Sequence, residues 1–590
     1  MDGTKNLRPL YTPWGEIIDK ECPLNDYPRP QMRRENWKCL TGLWQYAIRA
    51  DAAYPDTWDG DIVVPYSPES LLSGVGRQLL CGQTLWYRRE IQMESLPNGM
   101  RRLLHFGAVD QFCRVWCNDT LLGEHSGGYW PFSFDITDAA NVGTFTLTVA
   151  VKDFSDFGDE AYGKQKMRRG GIWYTGQSGI WQTVWCEDVP KAHIENLRIT
   201  PLYKEGAVEI QAEGVSVGSV QVLDGGNLVA EAFLTNGIAR VQLQNFKSWS
   251  PDDPFLYDLI ITAGEDTVFS YFGMREFSVA EGVDGLPRLM LNGKPIFHNG
   301  LLDQGYWSDG MYTPPSDEAL VWEISTLKSM GFNMLRKHIK IEPLRWYYHC
   351  DRLGMLVWQD FVSGGGPFKK FVVQYAPFLG FNFDDGTKNY ALHGRKSKPG
   401  REAFLRDAKR TVDLLYNAVS LSVWVPFNEG WGQFDAANMC EMVRKMDSTR
   451  QVDHASGYFD RGAGDFHSYH IYYRRFRPKK DKYPGRVLGL TEFGGYSLPT
   501  PGHMVSDTLF GYRVFQSKQD LQGALNELYK RDVLRNISKG LGALVYTQVS
   551  DVEDEINGLF TYDRKEIKVD IPFMRAINDK VYKAFFHGIT

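Results

Sequence analysis

Two glutamates that each end an apolar, strand-like run have the residue type and setting for acid–base and nucleophilic chemistry. Glu429 closes the run SLSVWVPFNE directly after Asn428, and Glu492 closes RVLGLTE. A carboxylic acid held in the partly desolvated mouth at a strand's carboxyl end has a raised pKa and can serve as a proton donor. Two carboxylates in such positions predict the acid and nucleophile of glycoside hydrolysis.

The composition places these glutamates in a large, folded, multidomain protein. At 590 residues the chain exceeds one hydrophobic core, and its 43% hydrophobic and 14% aromatic content excludes disorder over most of its length. The net charge of −6 gives no basic excess, so we expect no nucleic-acid partner. Uninterrupted apolar stretches of about 18 residues are absent, which predicts no membrane partner.

The eight cysteines are scattered, without a C-x-x-C pair or a spacing typical of zinc ligands. They predict reduced thiols, and the sequence indicates neither a metal nor a cofactor. The amino terminus has no cationic segment followed by an apolar core, so we expect a cytoplasmic protein unless a leader has been removed. The sequence leaves open whether the chain forms a homo-oligomer.

The rhythm of the sequence divides the chain into three domains that must position the glutamates. Residues 1–190 and 191–280 contain short alternating runs separated by turn residues, which predict two β-sandwiches, the second immunoglobulin-like. In residues 281–590, eight strand-like runs alternate with helical patterns and predict a catalytic (β/α)8 TIM barrel. Glu429 would then end the fourth barrel strand and Glu492 the seventh.

Several motifs along the chain carry a family resemblance. They are YPRPQMRRENWKCLTGLW, HFGAVDQFCRVWCND, WSPDDPFLYDL, YFGMREF, LNGKPIFHNG, FNEGWG and TEFGGY. In this order and spacing they resemble glycoside hydrolase family 2, whose members include β-galactosidases, β-glucuronidases and β-mannosidases. The likeness runs from about residue 30 to the end and implies that the first sandwich is jelly-roll-like and similar to sugar-binding domains.

The resemblance also implies roles for the residues in the two motifs. Glu429 in FNEGWG looks like the family's acid/base, Glu492 in TEFGG like its nucleophile, and Asn428 like the residue that binds the sugar's 2-hydroxyl. These roles imply a retaining exo-β-glycosidase that acts by double displacement through a covalent glycosyl-enzyme. The rival interpretation from another class is a non-catalytic carbohydrate-binding protein.

The strand ends supply further substrate-binding candidates, each with a structural alternative. Arg336 matches an arginine that the family places beneath the nucleophile, and a structural ion pair is its alternative. His338, two residues on, would share its strand face and contact the sugar, or satisfy a loop carbonyl. Asp360 would bind sugar hydroxyls or cap the following loop.

Three aromatic positions and one histidine complete the set of candidates. His470 or Tyr472 in DFHSYHIYY matches a residue that related barrels place near the nucleophile. Trp431 would stack on the sugar face or belong to the wall of the fold. Strand eight lacks the Trp found in related barrels, so Tyr546 or Gln548 would occupy that space.

The sequence gives a less direct indication of which sugar is bound. Family glucuronidases hold the sugar carboxylate with an Asn-x-Lys pair after the last strand, and GLFTYDRKEIKVD has none. Lys337 or Lys340 would pair with a uronic acid carboxylate, or both would be solvated surface charges. We expect a terminal β-D-galacto-configured sugar, neutral or acidic, with β-glucuronidase or another β-hexosidase as the alternative. One of three first-domain aspartates is expected to reach this sugar: Asp110, Asp153 or Asp156.

Overall fold

The computed structural model describes residues 7–140, 143–377 and 379–589, and its first part is a sandwich of two antiparallel sheets. One sheet has the strand order Gly60–Val64, Gly42–Arg49, Thr84–Gln92, Thr144–Lys152, Phe112–Cys117 and Thr120–Ser126. The other has the order Trp37–Cys39, Val184–Pro190, Met100–Phe106 and Phe132–Asp135. Side chains alternate across the strands, and inward-facing residues such as Leu147 and Val149 form the core between the sheets.

The second part is immunoglobulin-like, as predicted. Its strand order is Asn196–Leu202, Ala207–Glu213, Ile238–Gln242, Asn227–Thr235, Val217–Asp224, Tyr257–Ala263 and Asp266–Phe272. The first three and last four strands form the two layers of such a sandwich, and they remain connected through one hairpin whose strands share a single residue pair, Thr235 with Ile238. A small three-stranded sheet, Phe277–Glu281, Pro287–Leu291 and Lys294–Pro295, then leads into the barrel.

The third part is an eight-stranded parallel barrel, which confirms the predicted fold class. Its strands are β1 (His298–Asp303), β2 (Met334–Lys337), β3 (Leu356–Asp360), β4 (Leu421–Val425), β5 (Gln451–Val452), β6 (Phe466–Ile471), β7 (Val487–Gly494) and β8 (Leu541–Thr547). Neighbouring strands pair in parallel in the order β5-β4-β3-β2-β1-β8-β7-β6. The ring closes where the amide of Asp465 donates to the carbonyl of Val452, 2.8 Å away.

Helices surround the barrel and cover the outward-facing side chains of its strands. They are α1 (Asp317–Ser329), α2 (Leu344–Leu353), α3 (Lys398–Leu415), α4 (Ala436–Met446), α5 (Lys518–Leu528), α6 (Arg535–Ile537) and α7 (Ile571–Ile589), with π-helical segments at Phe371–Tyr375 and Tyr529–Leu534. The parts of the chain before the barrel contain 3₁₀ turns at Gly15–Ile17, Pro30–Met32 and Tyr203–Glu205. Within the described ranges, every helix is too short or too polar to cross a bilayer.

A loop of the first sandwich reaches over the carboxyl ends of the barrel strands. Tyr162 and Gly163 donate their amides to the carbonyl of Ser363 in the loop after β3. The short strands Gln165–Lys166 and Tyr174–Thr175 pair within this segment. We call residues 161–175 the roof loop, because it brings first-domain side chains to the mouth of the barrel.

Candidate active site

Glu429 lies just beyond β4, in a turn that its neighbours hold in place. Its backbone is left-handed, with φ of 52°, and its amide donates to the carbonyl of Ser456 at 3.0 Å. Gly430 follows at φ 71°, and a Cβ there would come within 2.2 Å of the Phe459 ring. A non-glycine residue in this conformation is costly, so the packing of its neighbours must maintain it. The turn leaves 28% of the Glu429 side chain exposed.

Glu492 belongs to β7 itself, where the pairing with β8 shifts register between Leu490 and Phe493. Only 5% of its side chain is exposed. The guanidinium of Arg336 donates to one carboxylate oxygen at 3.2 Å, and the hydroxyl of Tyr472 donates to the other. This carboxylate is therefore fixed on both sides, whereas Glu429 retains an open face.

The two carboxylates lie close together, and His470 bridges them. One oxygen of Glu429, Nδ1 of His470 and one oxygen of Glu492 all lie within 4.8 Å of one another. Nδ1 is 2.8 Å from Glu429 and 3.5 Å from Glu492, while Nε2 lies 3.1 Å from the hydroxyl of Ser456. The nearest oxygens of the two carboxylates are thus close enough for both groups to contact one anomeric centre.

Arg336 joins four strand ends from inside the barrel. Fully buried, it donates two hydrogen bonds to Asp360, at 2.9 and 3.1 Å, and one to the side-chain oxygen of Asn428, at 2.8 Å. Because the Asn428 oxygen accepts from Arg336, its amide nitrogen is left to donate elsewhere. Both oxygens of Asp360 accept from the guanidinium, so this carboxylate orients Arg336, and its contact with sugar hydroxyls stays a prediction.

Burial sets the protonation of the site. Desolvation raises the pKa values of both Glu429 and Glu492; Lys164 and Arg336 oppose the rise at Glu429, and Arg336 and the Tyr472 hydrogen bond oppose it at Glu492. The same cause raises the pKa of Asp360 to about 7, against the opposing charge of Arg336. Burial lowers the pKa of His470 to about 4, so the imidazole is neutral near pH 7 and bridges the carboxylates without adding charge.

His338 lies on the barrel interior beside Arg336. Its Nδ1 lies 2.9 Å from the side-chain oxygen of Gln304, and its Nε2 lies 3.8 Å from a carboxylate oxygen of Asp360 and of Glu492. Burial lowers its pKa well below the usual value, so it is a neutral group at the base of the site. The structure thus brings His338 to the position that the strand periodicity predicts.

Two other predictions are corrected because the side chains point elsewhere. Lys337 alternates with Arg336 along β2 and therefore faces the outer layer, where its ammonium lies 2.6 Å from Asp303 and 2.7 Å from Glu342. Tyr546 likewise faces outward from β8 and packs against Phe493. Neither side chain can reach a sugar held between the two carboxylates.

Trp431 also departs from its predicted role. It is 6% exposed, and its ring packs against those of Trp173, at 5.0 Å between centroids, and Tyr162, at 5.6 Å. Since little of either face remains free, it anchors the roof loop and offers no stacking surface. The three first-domain aspartates all have protein partners: Asp110 accepts from the side chain of Gln165, Asp153 from the amide of Ser155 and Asp156 from the amide of Met167, and a sugar contact by one of them stays a prediction.

Sequence reasoning missed several residues that reach the site. Tyr458 hydrogen-bonds to Glu429, and the hydroxyl of Thr547 lies 3.2 Å from that of Tyr472. Lys164, from the roof loop, is the cation that most strongly lowers the pKa of Glu429. Proximity in sequence to the motif SYHIYY identifies none of these residues as part of the site. Period-2 alternation along β8 does favour Thr547 over Tyr546 as the residue that faces the site. Lys164 has no such signal, because a domain contact places it there.

Two groups of side chains in the described residues could offer a cation three ligand atoms. One is Glu429, His470 and Glu492, where Arg336 and Tyr472 already bond to Glu492. The other is Asp460, His467 and Asp481, whose two carboxylates both pair with Arg486 at 2.7 to 2.8 Å. In each group an existing cation or hydroxyl uses the carboxylates, so neither donor set favours a metal.

Three family models match the chain in succession. Residues 80–188 match the sugar binding domain of glycosyl hydrolases family 2, residues 192–275 match a second domain of the same family, and residues 286–567 match its TIM barrel domain. A β-galactosidase of Thermoanaerobacter pseudethanolicus is 24% identical over 304 residues, which cover 47% of this chain and 39% of that protein. The chain spans about two fifths of the length of the first curated relatives it matches.

Solved structures share the fold over nearly the whole chain. A β-glucuronidase from an uncultured Clostridium has a TM-score of 0.73 at 18% identity, covering 94% of this chain and 99% of that one. A β-galacturonidase from Eisenbergiella tayi has a TM-score of 0.68 at 17% identity, covering 94% and 98%. At these identities the likeness establishes the three-part architecture.

Proposed function

Because the chain belongs to glycoside hydrolase family 2, we propose that it is a retaining exo-β-glycosidase that releases a terminal, non-reducing β-D-galacto-configured sugar. The observation that carries the proposal is the pair Glu429 and Glu492, with oxygens within 4.8 Å of each other at the ends of β4 and β7. Retaining enzymes hold their carboxyl groups about 5–5.5 Å apart, whereas inverting enzymes need about 6.5–9.5 Å for a water.

In the first step, Glu429 donates its proton to the departing glycosidic oxygen while Glu492 attacks the anomeric carbon. Burial raises the pKa of Glu429, which favours the protonated form that the acid needs. Arg336 and Tyr472 both donate to Glu492, so they hold its lone pairs in place and favour the ionised nucleophile. The bond to the aglycone breaks and an ester between Glu492 and the sugar forms.

In the second step, Glu429 acts as the base. Esterification removes the charge of Glu492, so Glu429 ionises more readily and can take a proton from an attacking water. That water breaks the ester and releases the sugar with its configuration retained. The amide nitrogen of Asn428, held outward by the bond from Arg336, can donate to the 2-hydroxyl as positive charge develops on the ring.

The choice of a galacto-configured sugar, as a β-galactoside or β-galacturonide, has two supports. Relatives of this chain are named β-galactosidases, and a solved structure with the same fold is titled a β-galacturonidase. The cations after β8 also pair elsewhere: Arg564 with Glu323 at 2.9 Å, and Lys568 with Asp551 at 2.6 Å. A carboxylate clamp in this segment would need cations that are free to turn toward the sugar.

β-Glucuronidase is the second candidate, because solved structures with this fold bear that name. A panel of 4-nitrophenyl β-glycosides differing at C2, C4 and C6 separates these substrates. A galacto-configured member should give the highest kcat/KM; a gluco-configured optimum would contradict the sugar assignment.

The catalytic assignment is tested by trapping. A 2-deoxy-2-fluoro β-glycoside with a good leaving group should form a covalent adduct on Glu492, detected by mass spectrometry of the digested protein. Competition by the matching free sugar is the control for a site-directed reaction. If no sugar of the panel labels Glu492 while the protein still binds carbohydrate, the chain is a carbohydrate-binding protein.

A further inference from the structure

Lys164 differs from the other deeply buried lysines of the described chain. Lys337, Lys340 and Lys568 each have a carboxylate oxygen within 2.9 Å of the ammonium. Lys164 is 8% exposed, yet within the described residues its ammonium has no carboxylate within 4.0 Å and no hydrogen bond. The ammonium is not fully enclosed by protein, so it opens onto the cavity, where a ligand carboxylate could supply the anionic partner that it lacks.

The roof loop holds Lys164 rigidly over the mouth of the barrel. A Cβ on Gly163 would come within 3.0 Å of the Tyr129 and Tyr312 hydroxyls and the Ile339 carbonyl, so the backbone packs directly on the loop after β2. Gln165, the next residue, donates its amide to Asp110 and to Tyr129, both at 3.0 Å. A backbone anchored on both sides of Lys164 need not be ordered when the lysine binds a ligand.

The ammonium of Lys164 faces the same space as the paired carboxylates. It lies 5.1 Å from the Trp173 ring centroid, and that ring packs on Trp431 of the FNEGWG motif. The carboxylates that act on it most strongly are Glu555, Glu429 and Glu492, in that order. The ammonium therefore lies on the roof-loop side of the cavity, over a ring that packs on the acid's own motif.

Glu555 does not serve as the missing partner of Lys164. One of its carboxylate oxygens accepts from the hydroxyl of Tyr174 at 2.5 Å, and the other accepts from the amide of Asn557 at 3.0 Å. Both oxygens are thus engaged without the lysine. Glu429 bonds His470 and Tyr458, and Glu492 bonds Arg336 and Tyr472.

Resting on the proposed function, we propose that Lys164 binds the carboxylate of a uronic acid and makes the site selective for β-uronides over neutral β-glycosides. The carboxylate supplies the charge-assisted hydrogen bond that the buried ammonium lacks. Neither Lys337 nor Lys340 can do this, because both ammonium groups are engaged with Glu342 in the outer layer. Lys164, and neither of these two lysines, is then the cation that binds the C6 carboxylate of the sugar.

This assignment has a consequence for the pKa of the acid, Glu429. Lys164 is the cation that most lowers the pKa of Glu429. A bound carboxylate screens that charge, so the acid keeps its proton to higher pH in the uronide complex than in the free enzyme. The basic limb of the pH profile has one apparent pKa in kcat, which reports the complex, and another in kcat/KM, which reports the free enzyme. The first should exceed the second by more for a uronide than for a neutral glycoside.

The test compares 4-nitrophenyl β-D-galacturonide with 4-nitrophenyl β-D-galactoside, and the gluco pair likewise. Wild type should prefer the uronide, and Lys164→Met should lower the ratio of kcat/KM on the uronide to kcat/KM on the neutral glycoside by about 10- to 100-fold, the loss of one charged hydrogen bond. Lys164→Arg should keep part of the preference. Lys166→Met, which removes a neighbouring ammonium over the same Trp173 ring, is the matched control and should keep all of it.

Thermal unfolding of each variant shows that it is folded, and the arginine variant keeps the test decisive if the methionine variant is not. Equal losses on both sugars, or a wild-type preference for the neutral glycoside, would overturn the proposal. Calorimetric titration with D-galacturonate and D-galactose separates the two claims. Lys164-dependent uronate binding without turnover would contradict the glycosidase and support the subsite, whereas turnover without Lys164-dependent discrimination would do the reverse.

Discussion

Two buried ionic clusters lie on opposite faces of β2, and they differ in what they expose to the cavity. The open cluster, on the barrel interior, contains Arg336, Asp360, His338, Glu492 and Glu429. The closed cluster, in the outer layer, contains Lys337, Lys340, Asp303 and Glu342. Alternation along one strand separates them, since adjacent residues point to opposite faces.

In the closed cluster the ammonium groups are fully engaged with acceptors of the protein. The ammonium of Lys340 donates to the carbonyls of Gly305 and Tyr312 and to Glu342, all within 2.9 Å. The open cluster instead leaves the amide nitrogen of Asn428 and the exposed face of Glu429 directed at the cavity. Burial and charge are common to both, so the exposure of reactive groups to the cavity distinguishes a reacting site from a structural one.

The largest contrast is expected from the same substitution in each cluster. Glu492→Gln should lower kcat/KM by at least about 10⁴-fold, because an amide cannot form the glycosyl ester. Glu342→Gln, the matched control, should lower the unfolding temperature and leave turnover of an aryl glycoside within about 3-fold while the protein is folded. Substantial activity in the folded Glu492→Gln variant would remove the distinction between the clusters.

The closed cluster should matter most for stability. Lys337→Met leaves Asp303 and Glu342 without this ammonium, and breaking a buried pair costs about 3–5 kcal/mol of unfolding free energy. Lys565→Met removes the half-exposed pair with Glu16 and should cost at most about 1 kcal/mol. Urea unfolding measures both, and a Lys337→Met variant as stable as wild type would contradict the structural role.

These clusters also show how far sequence reasoning reaches. The apolar runs ending at Glu429 and Glu492 locate both carboxylates, because strand ends in a barrel meet at one edge. Period 2 places His338 beside Arg336, and the same rule excludes Lys337, although the charge pattern alone favoured it. The position of Lys164 depends on how the first sandwich docks on the barrel, and no local pattern encodes a contact between domains.

A third prediction concerns a hydroxyl at the nucleophile. Tyr472→Phe removes a hydrogen bond to the Glu492 carboxylate that is worth about 1.5–3 kcal/mol. The ionised nucleophile is then less stabilised, and kcat should fall about 10- to 100-fold. Tyr546→Phe changes a hydroxyl on the outward face of β8 and should leave kcat unchanged. Steady-state kinetics distinguishes the two, and a larger effect at Tyr546 would return that residue to the site.

The smallest expected effect is a shift in pH dependence that only the open cluster should show. Tyr458 hydrogen-bonds to Glu429 and lowers its pKa, so Tyr458→Phe should raise that pKa. Since the acid must be protonated, activity then persists to higher pH, and the basic limb of kcat/KM moves upward by less than about one unit. Tyr347→Phe removes a hydroxyl bonded to Gln359 on the closed side and should leave the limb in place. A downward shift in Tyr458→Phe, or an equal shift in both variants, would mean that Glu429 is not the group whose proton limits the reaction.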